Sequence, residues 1–115
     1  MSEFIVLGPD QIIAQDLADA IRSNTPQARV TVFRRDEEVL AELATLRPAA
    51  VILHREPEGF AGTALGQVLA AGGIPHGFLS TAEAAGDATI LESPFTEATV
   101  AALLEKLSGI RSLGL

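Results

Sequence analysis

The side chains that could carry out chemistry in this sequence are few and scattered. The chain contains two histidines, His54 and His76, and no cysteine. Without cysteine there are no disulfides, no zinc–thiolate sites and no thiol nucleophile, and two histidines are too few for a multi-histidine metal site. Ser80 and Ser93 have no paired base in the sequence, so the pattern gives little support for a hydrolase.

His54 allows two interpretations. Imidazole is nucleophilic and partly deprotonated near neutral pH, so this ring could accept a phosphoryl group. Alternatively, the ring is hydrogen-bonded to a loop backbone or to Glu56 or Glu58. The second interpretation is favoured, because only Arg55 is close in sequence to neutralise an incoming phosphate. His76 opens an apolar strand and is expected to be a hydrogen-bonded strand-end histidine.

A pair of adjacent arginines, Arg34 and Arg35, also allows two interpretations. Guanidinium groups could hold an acidic partner, although paired arginines in loops are more often solvated surface. No glycine pattern suited to cradling phosphate is present around Gly8 or Gly59. We therefore expect no cofactor and no bound metal.

Composition and charge limit the class of protein. The 115 residues are 48% hydrophobic and 20% charged, which suits one compact domain with its own core. Eight Lys and Arg against fifteen Asp and Glu give a net charge of −7, which disfavours a nucleic-acid partner. Neither a secretion signal nor a membrane-spanning segment is recognisable. We expect a cytoplasmic protein that contacts no membrane.

Short apolar runs alternate with amphipathic segments, which predicts a parallel sheet covered by helices. Strands are predicted at 4–7, 30–33, 49–53, 76–80 and 88–91. Asp10 and Asp36 are predicted N-caps of the first two helices. A third helix is predicted at 62–71, and a last one begins at Thr96 and ends at Ser108-Gly109. The segment 81–87 is rich in alanine and weakly patterned, so the helix expected there is short or degenerate.

Helical spacing also predicts which apolar side chains face the sheet. The first helix is expected to bury Ile12, Ile13, Leu17, Ala20 and Ile21. The third is expected to bury Leu65, Val68 and Leu69. Together these elements predict a (βα)5 unit, an α/β doubly wound sandwich. In such a fold the functional site is expected in the loops at the carboxyl ends of the strands.

Three features of these loops and strands resemble one family. Ser93-Pro94-Phe95 is similar to a Lys-Pro-Phe turn before a last helix, Ile74-Pro75 enters strand four, and Ser80 places a hydroxyl at the end of that strand. Over nearly its whole length the chain resembles the receiver domain of bacterial two-component response regulators. The resemblance implies a flavodoxin-like five-stranded sheet of order 2-1-3-4-5, with the domain at 1–110 and a tail at 111–115.

The resemblance also implies where the family's chemistry would lie. In receivers, two acids after strand one bind Mg²⁺, an aspartate ending strand three accepts phosphate, and a strand-four hydroxyl and a lysine sense the phosphorylated state. In the same order, the corresponding residues here are Gly8 with Pro9, His54, Ser80 and Ser93. Asp10 falls one residue after the second acid and is expected to serve as a helix cap instead.

These substitutions predict a stand-alone pseudo-receiver that is not an enzyme, is not phosphorylated on aspartate and acts by binding protein. The partner, or a second copy in a homodimer, is expected on the side formed by strand five and the last helix. Candidate contact residues there are Leu91, Phe95, Glu97 and Glu105. Two alternatives remain: phosphotransfer through His54, or a small ligand in the emptied acid pocket.

Overall fold

The apolar runs of the sequence form one parallel sheet. The computed structural model describes residues 3–56, 58–80, 90–92 and 97–113; residues 80, 90–92, 97 and 108–113 are described by their backbone alone. The strands are β1 (Glu3–Leu7), β2 (Arg29–Phe33), β3 (Ala50–His54), β4 (His76–Ser80) and β5 (Ile90–Glu92). Their order, β2-β1-β3-β4-β5, is the predicted one, and every pairing is parallel.

Helices cover both faces of this sheet. They are α1 (Gln11–Asn24), α2 (Asp36–Leu43), α3 (Ala64–Ala71) and α4 (Glu97–Leu113), with a 3₁₀ turn at Phe60–Gly62 before α3. Alternate residues of a strand point to opposite faces, and β1 shows this clearly. Phe4 and Val6 join the core formed with α1 and α4, whereas Ile5 and Leu7 join the core formed with α2 and α3. The chain is therefore doubly wound, as predicted.

Two apolar side chains predicted to be buried are exposed instead. Ile12 is 77% exposed and Val68 is 40% exposed. The inward stripe of α1 consists of Ala14, Leu17, Ala18 and Ile21. At about 100° per residue, Ile12 lies on the opposite side of the helix from that stripe. In α3 the buried positions are Leu65, Gly66 and Leu69, and Val68 lies at the edge of that surface.

Three predicted helix boundaries are wrong. The N-cap of α2 is Arg35 rather than Asp36, which is the first helical residue. Thr63 caps α3, so that helix begins at Ala64 and not at residue 62. The last helix continues past Ser108-Gly109 to Leu113, because one glycine inside a helix costs only about 1 kcal/mol. It therefore includes residues 111–113 of the predicted tail.

The remaining predictions about strands and helices can be compared with the structure only in part. Strand five includes Ile90–Glu92 and so passes the predicted end at residue 91 by one residue. Its predicted first two residues, 88 and 89, lie outside the described part of the chain. The weakly patterned segment 81–87 also lies outside it. The domain boundary at residue 110 stays a prediction. None of the helices in the described ranges is both long and apolar enough to span a bilayer.

One edge of the sheet is formed by β2, which has β1 as a neighbour on one side. The carbonyl oxygen of Phe33 faces β1, since it accepts from the backbone N–H of Gly8 at 3.0 Å. Successive carbonyls of a strand point to opposite sides, so the carbonyl of Val30 faces outward. Arg22 of α1 donates to it through Nη2 at 3.1 Å.

Candidate functional site

The sheet brings the ends of β1 and β3 together at its carboxyl edge. Leu7 is in register with Leu53, so the next residues along the two strands, Gly8 and His54, are neighbours. Gly8 is buried and His54 is half-buried. The two strands thus place side by side the residues that, by the resemblance, stand at a receiver's metal-binding and phosphoacceptor positions.

Position 8 has no room for a side chain beside His54. A Cβ atom built on Gly8 would lie 2.8 Å from the Cβ of His54 and 3.5 Å from its Nδ1. Real Cβ atoms do not approach other carbons so closely, so the two backbones would have to separate. Glycine at position 8 and a side chain at position 54 therefore belong together. The sequence identified both residues but not this contact.

The Nδ1 atom of His54 does not form the hydrogen bond that we predicted for the ring. Its Nδ1 atom is buried and has no hydrogen-bond partner within the described residues. The expected hydrogen bond of the ring to a loop backbone, Glu56 or Glu58 is therefore not made through Nδ1 within the described residues. Glu56 and Glu58 are exposed, which keeps their charges hydrated. A buried polar atom without a partner is destabilising by about 1–3 kcal/mol.

Asp10 acts as the predicted helix cap. Its Oδ1 accepts hydrogen bonds from the backbone N–H groups of Ile12 at 3.0 Å and Ile13 at 3.2 Å. These two N–H groups have no partner within the helix, and an N-cap carboxylate is a common way to satisfy them. The carboxylate is thus committed to the start of α1.

The residue after His54 is held by contacts that the sequence did not reveal. Arg55 forms a two-pronged ion pair with Asp36, with Nη1 donating to Oδ2 at 3.2 Å and Nη2 donating to Oδ1. Both side chains are about one-third exposed, at 31% and 34%. The guanidinium carbon also lies 5.3 Å from the centre of the Phe60 ring. Because 19 positions separate Arg55 from Asp36, spacing along the chain could not predict the pair.

Phe60 connects this loop to β4. Its ring centre lies 5.2 Å from that of Phe78, edge-on, and 5.7 Å from that of His76. His76 Nδ1 is 3.0 Å from the carbonyl oxygen of Ile74, and a carbonyl can only accept, so the ring nitrogen donates. This confirms the prediction of a hydrogen-bonded strand-end histidine.

Comparison with solved structures identifies the architecture. No family model and no curated protein matches the sequence. The response regulator PhyR from Brucella abortus superposes with a TM-score of 0.77 at 18% identity, covering 98% of this chain and 50% of PhyR. The chemotaxis response regulator CheY4 of Vibrio cholerae gives a TM-score of 0.72 at 17% identity, over 93% of this chain and 98% of CheY4. This chain has the receiver fold.

A third solved structure also shares this fold. An uncharacterized protein from Neptuniibacter caesariensis superposes with a TM-score of 0.78 at 20% identity, covering 98% of this chain and 91% of that protein. At such identities the likeness concerns the fold. The sequence-based assignment of a receiver-type sheet is confirmed, while the chemistry has to be judged from this chain's own residues.

The other receiver positions are placed only in part. Ser80 ends β4 in register with Glu92 of β5, whereas Ser93 lies outside the described residues. Among the predicted contact residues, Leu91 lies in β5, Glu97 begins α4, and Phe95 lies outside the described part. Glu105 is exposed on α4. These assignments remain predictions.

The residues at this edge do not fit the magnesium ion of a receiver. Mg²⁺ prefers octahedral oxygen ligation that includes one or two carboxylates. Gly8 and Pro9 offer none, and Oδ1 of Asp10 is engaged in capping α1, which leaves at most one carboxylate oxygen of this segment for a cation. Nowhere in the described ranges do three metal-ligating side chains come together.

Proposed function

We propose that this chain is a pseudo-receiver: a signalling module of the two-component type that binds another protein without transferring phosphate to an aspartate. The observation that carries the proposal is the contact between positions 8 and 54. A side chain at position 8 is excluded by the Cβ of His54, 2.8 Å from where its own Cβ would lie. A carboxylate at position 8 would therefore need the ends of β1 and β3 to move apart.

The chemistry of phosphoryl transfer supports the same conclusion. Such transfer depends on positioning and on neutralising the charge of the transferred group. Gly8 and Pro9 supply no carboxylate for a cation, and one oxygen of Asp10 is engaged in capping α1. Turnover is thus not expected, and recognition by surface is the remaining way for the module to act.

The contacts of Arg55 weigh against phosphotransfer through His54. Arg55 is the cation nearest to His54 in sequence, and it is already paired with Asp36 and packed on Phe60. Using it for a phosphoryl group would break a two-pronged ion pair. The Nδ1 atom of His54 is buried, which weighs against phosphorylation at that nitrogen. The same ring packs against Gly8, which weighs against a small ligand in the former acid pocket.

We assign the protein-binding surface to the side formed by β5 and α4. Glu105 is exposed on α4, and the receiver resemblance implies that partners dock on this side. The occupant is a signalling protein or a second copy of the chain. No nucleic acid is expected, because the net charge is −7.

Titration with Mg²⁺ and beryllofluoride, a phosphate mimic, tests the loss of phosphoryl chemistry. We expect no saturable shift of the backbone amide signals of residues 8–10 and 54–56 at millimolar Mg²⁺. A receiver that retains its acid pair and aspartate serves as the positive control. Saturable shifts confined to those residues, or labelling by acetyl phosphate on a phosphate-affinity gel, would contradict the proposal.

A further inference from the structure

The turn that leads into α3 is anchored by one buried side chain. We call residues 59–62 the Phe60 turn; they include the 3₁₀ turn at Phe60–Gly62. Phe60 is 4% exposed, whereas the other residues of the turn are exposed: Gly59, Ala61 and Gly62. Both glycines have open space around them, since a Cβ built on either would meet no atom within 4 Å. The Phe60 turn therefore depends on the contacts of a single ring.

The hydrogen bonds of the Phe60 turn are local. The backbone N–H of Gly62 donates to the carbonyl oxygen of Gly59 at 3.2 Å, and that of Thr63 donates to the carbonyl oxygen of Phe60 at 2.9 Å. The Thr63 hydroxyl donates to the same Phe60 oxygen at 2.7 Å. All three bonds lie within the turn or join it to the next residue. A segment held in this way can open without unfolding the rest of a domain.

Arg55 connects the Phe60 turn to α2. Its guanidinium is paired through two hydrogen bonds with Asp36, the first residue of that helix, and its central carbon lies 5.3 Å from the centre of the Phe60 ring. The ion pair thus holds the guanidinium against the ring. Because each partner is about one-third exposed, dissolved salt can screen their attraction.

The rings that pack on Phe60 belong to an uncharged part of the chain. The Phe60 ring contacts those of Phe78 and His76, whose centres are themselves 6.0 Å apart. Residues 59–80 include no Asp, Glu, Lys or Arg. If Phe60 withdraws, these two rings lose an aromatic neighbour, and the surface that becomes accessible is apolar.

We propose that the Phe60 turn is a strap over the rings of His76 and Phe78, and that the ion pair of Arg55 with Asp36 controls its opening. In the closed form the guanidinium keeps Phe60 in place. When the pair is broken, the strap opens more often, as a minor state reached by local unfolding. Ionic conditions thereby regulate how often an aromatic surface is available. This device goes beyond the proposed function and does not depend on it.

Amide hydrogen exchange measured by NMR tests the strap at Gly62 and Thr63, whose N–H groups donate within it. We expect Asp36→Asn to accelerate exchange at both amides about threefold or more. Arg55→Gln should accelerate it further, because it also removes the packing on Phe60 and so should shift the signals of that ring. In the natural chain, added salt should accelerate exchange at the same two amides, and in Asp36→Asn this salt effect should be lost.

Asp19→Asn is the matched control, because it removes the carboxylate of the exposed pair with Arg22. It should leave exchange at Gly62 and Thr63 unchanged. Unchanged exchange in Asp36→Asn overturns the inference, as does an equal response to Asp19→Asn. An equal acceleration throughout α1 also overturns it, since the whole domain would then be opening. The proposed function fails separately, through uptake of Mg²⁺ and beryllofluoride by the natural chain.

Discussion

At the scale of single residues, the contact between Gly8 and His54 defines the site. We expect Gly8→Ala to lower the free energy of unfolding by about 1–3 kcal/mol, because the added methyl overpacks the junction of β1 and β3. Urea denaturation followed by far-ultraviolet circular dichroism measures this, since the chain has no Trp or Tyr.

His54→Gly provides the matched control for that measurement. It removes the Cβ that the new methyl would contact, at 2.8 Å. The loss caused by Gly8→Ala should therefore be smaller in a His54→Gly background than in the natural chain. A double-mutant cycle that gives no coupling free energy between positions 8 and 54 would contradict this account. It would show that the ends of β1 and β3 move apart with no loss of stability.

His54→Asp alone should not restore phosphorylation by acetyl phosphate. It supplies an oxygen nucleophile, but Gly8 and Pro9 still offer no carboxylate for Mg²⁺. Without a nearby cation, burial raises the pKa of a carboxyl group. The new side chain would then be protonated more often and would be a poorer nucleophile. The assay is a phosphate-affinity gel together with beryllofluoride binding. Stoichiometric phosphorylation of this single variant would contradict the prediction. It would show that the absence of carboxylates at positions 8 and 9 does not prevent phosphorylation.

A variant that also carries Gly8→Asp, Pro9→Asp and Ser93→Lys supplies all the missing charges. From the sequence alone it should be phosphorylated more readily than the single variant. The structure limits this expectation. His54→Asp keeps a Cβ at position 54, so the clash with a side chain at position 8 persists. We expect this variant to be less stable than the natural chain, with phosphorylation only if the strand ends separate.

The identities of the site residues could be predicted from the sequence, but their contacts could not. Gly8, His54 and Asp10 stand beside strand ends or at a helix start, which local patterns reveal. The pair of Arg55 with Asp36 depends on how two loops approach in space. That Nδ1 of His54 has no hydrogen-bond partner in the described part of the chain depends on packing. Neither leaves a trace in spacing along the chain.

At the scale of elements, α3 is positioned by its close approach to the 3₁₀ turn. A Cβ on Gly66 would clash with the carbonyl oxygen of Phe60 and lie 3.2 Å from the Cα of Ala61. We expect Gly66→Ala to cost about 1–3 kcal/mol of unfolding free energy, measured by urea denaturation. Gly62→Ala, where nothing lies within 4 Å, should have little effect. Equal effects of both changes would contradict this account.

Elements differ in how well their sequences predict them. The buried strands β1 and β3 are continuous apolar runs, which are typical of parallel sheets, and they were predicted to within a residue or two. Helix ends depend on weaker signals: Ser108-Gly109 is a plausible stop, yet α4 passes through it. Ile12 was included because its spacing from the other apolar residues suits a helix. The buried face of α1 is instead the one that carries Leu17 and Ile21, and Ile12 lies off it.

At the scale of the whole molecule, the proposed partner surface can be tested by charge reversal. We expect Glu105→Arg, alone or with Glu97→Arg, to weaken self-association in sedimentation experiments or binding of an isolated native partner. Rim charges steer association, so the effect should lessen at high salt. Asp16→Arg, on the exposed face of α1, is the control. If changes at His54 abolish association while those on α4 do not, the surface lies at the strand ends.

The hydrogen bond from Arg22 to the outward carbonyl of Val30 has a consequence for how copies of the protein behave at high concentration. An edge strand with free carbonyl and N–H groups can template a strand from another molecule, and open α/β sheets are exposed to such growth. By occupying the outward carbonyl of Val30, the second residue of a five-residue edge strand, Arg22 interrupts the ladder that an incoming strand would need. We therefore expect this helix side chain to disfavour pairing of β2 with a strand of another molecule.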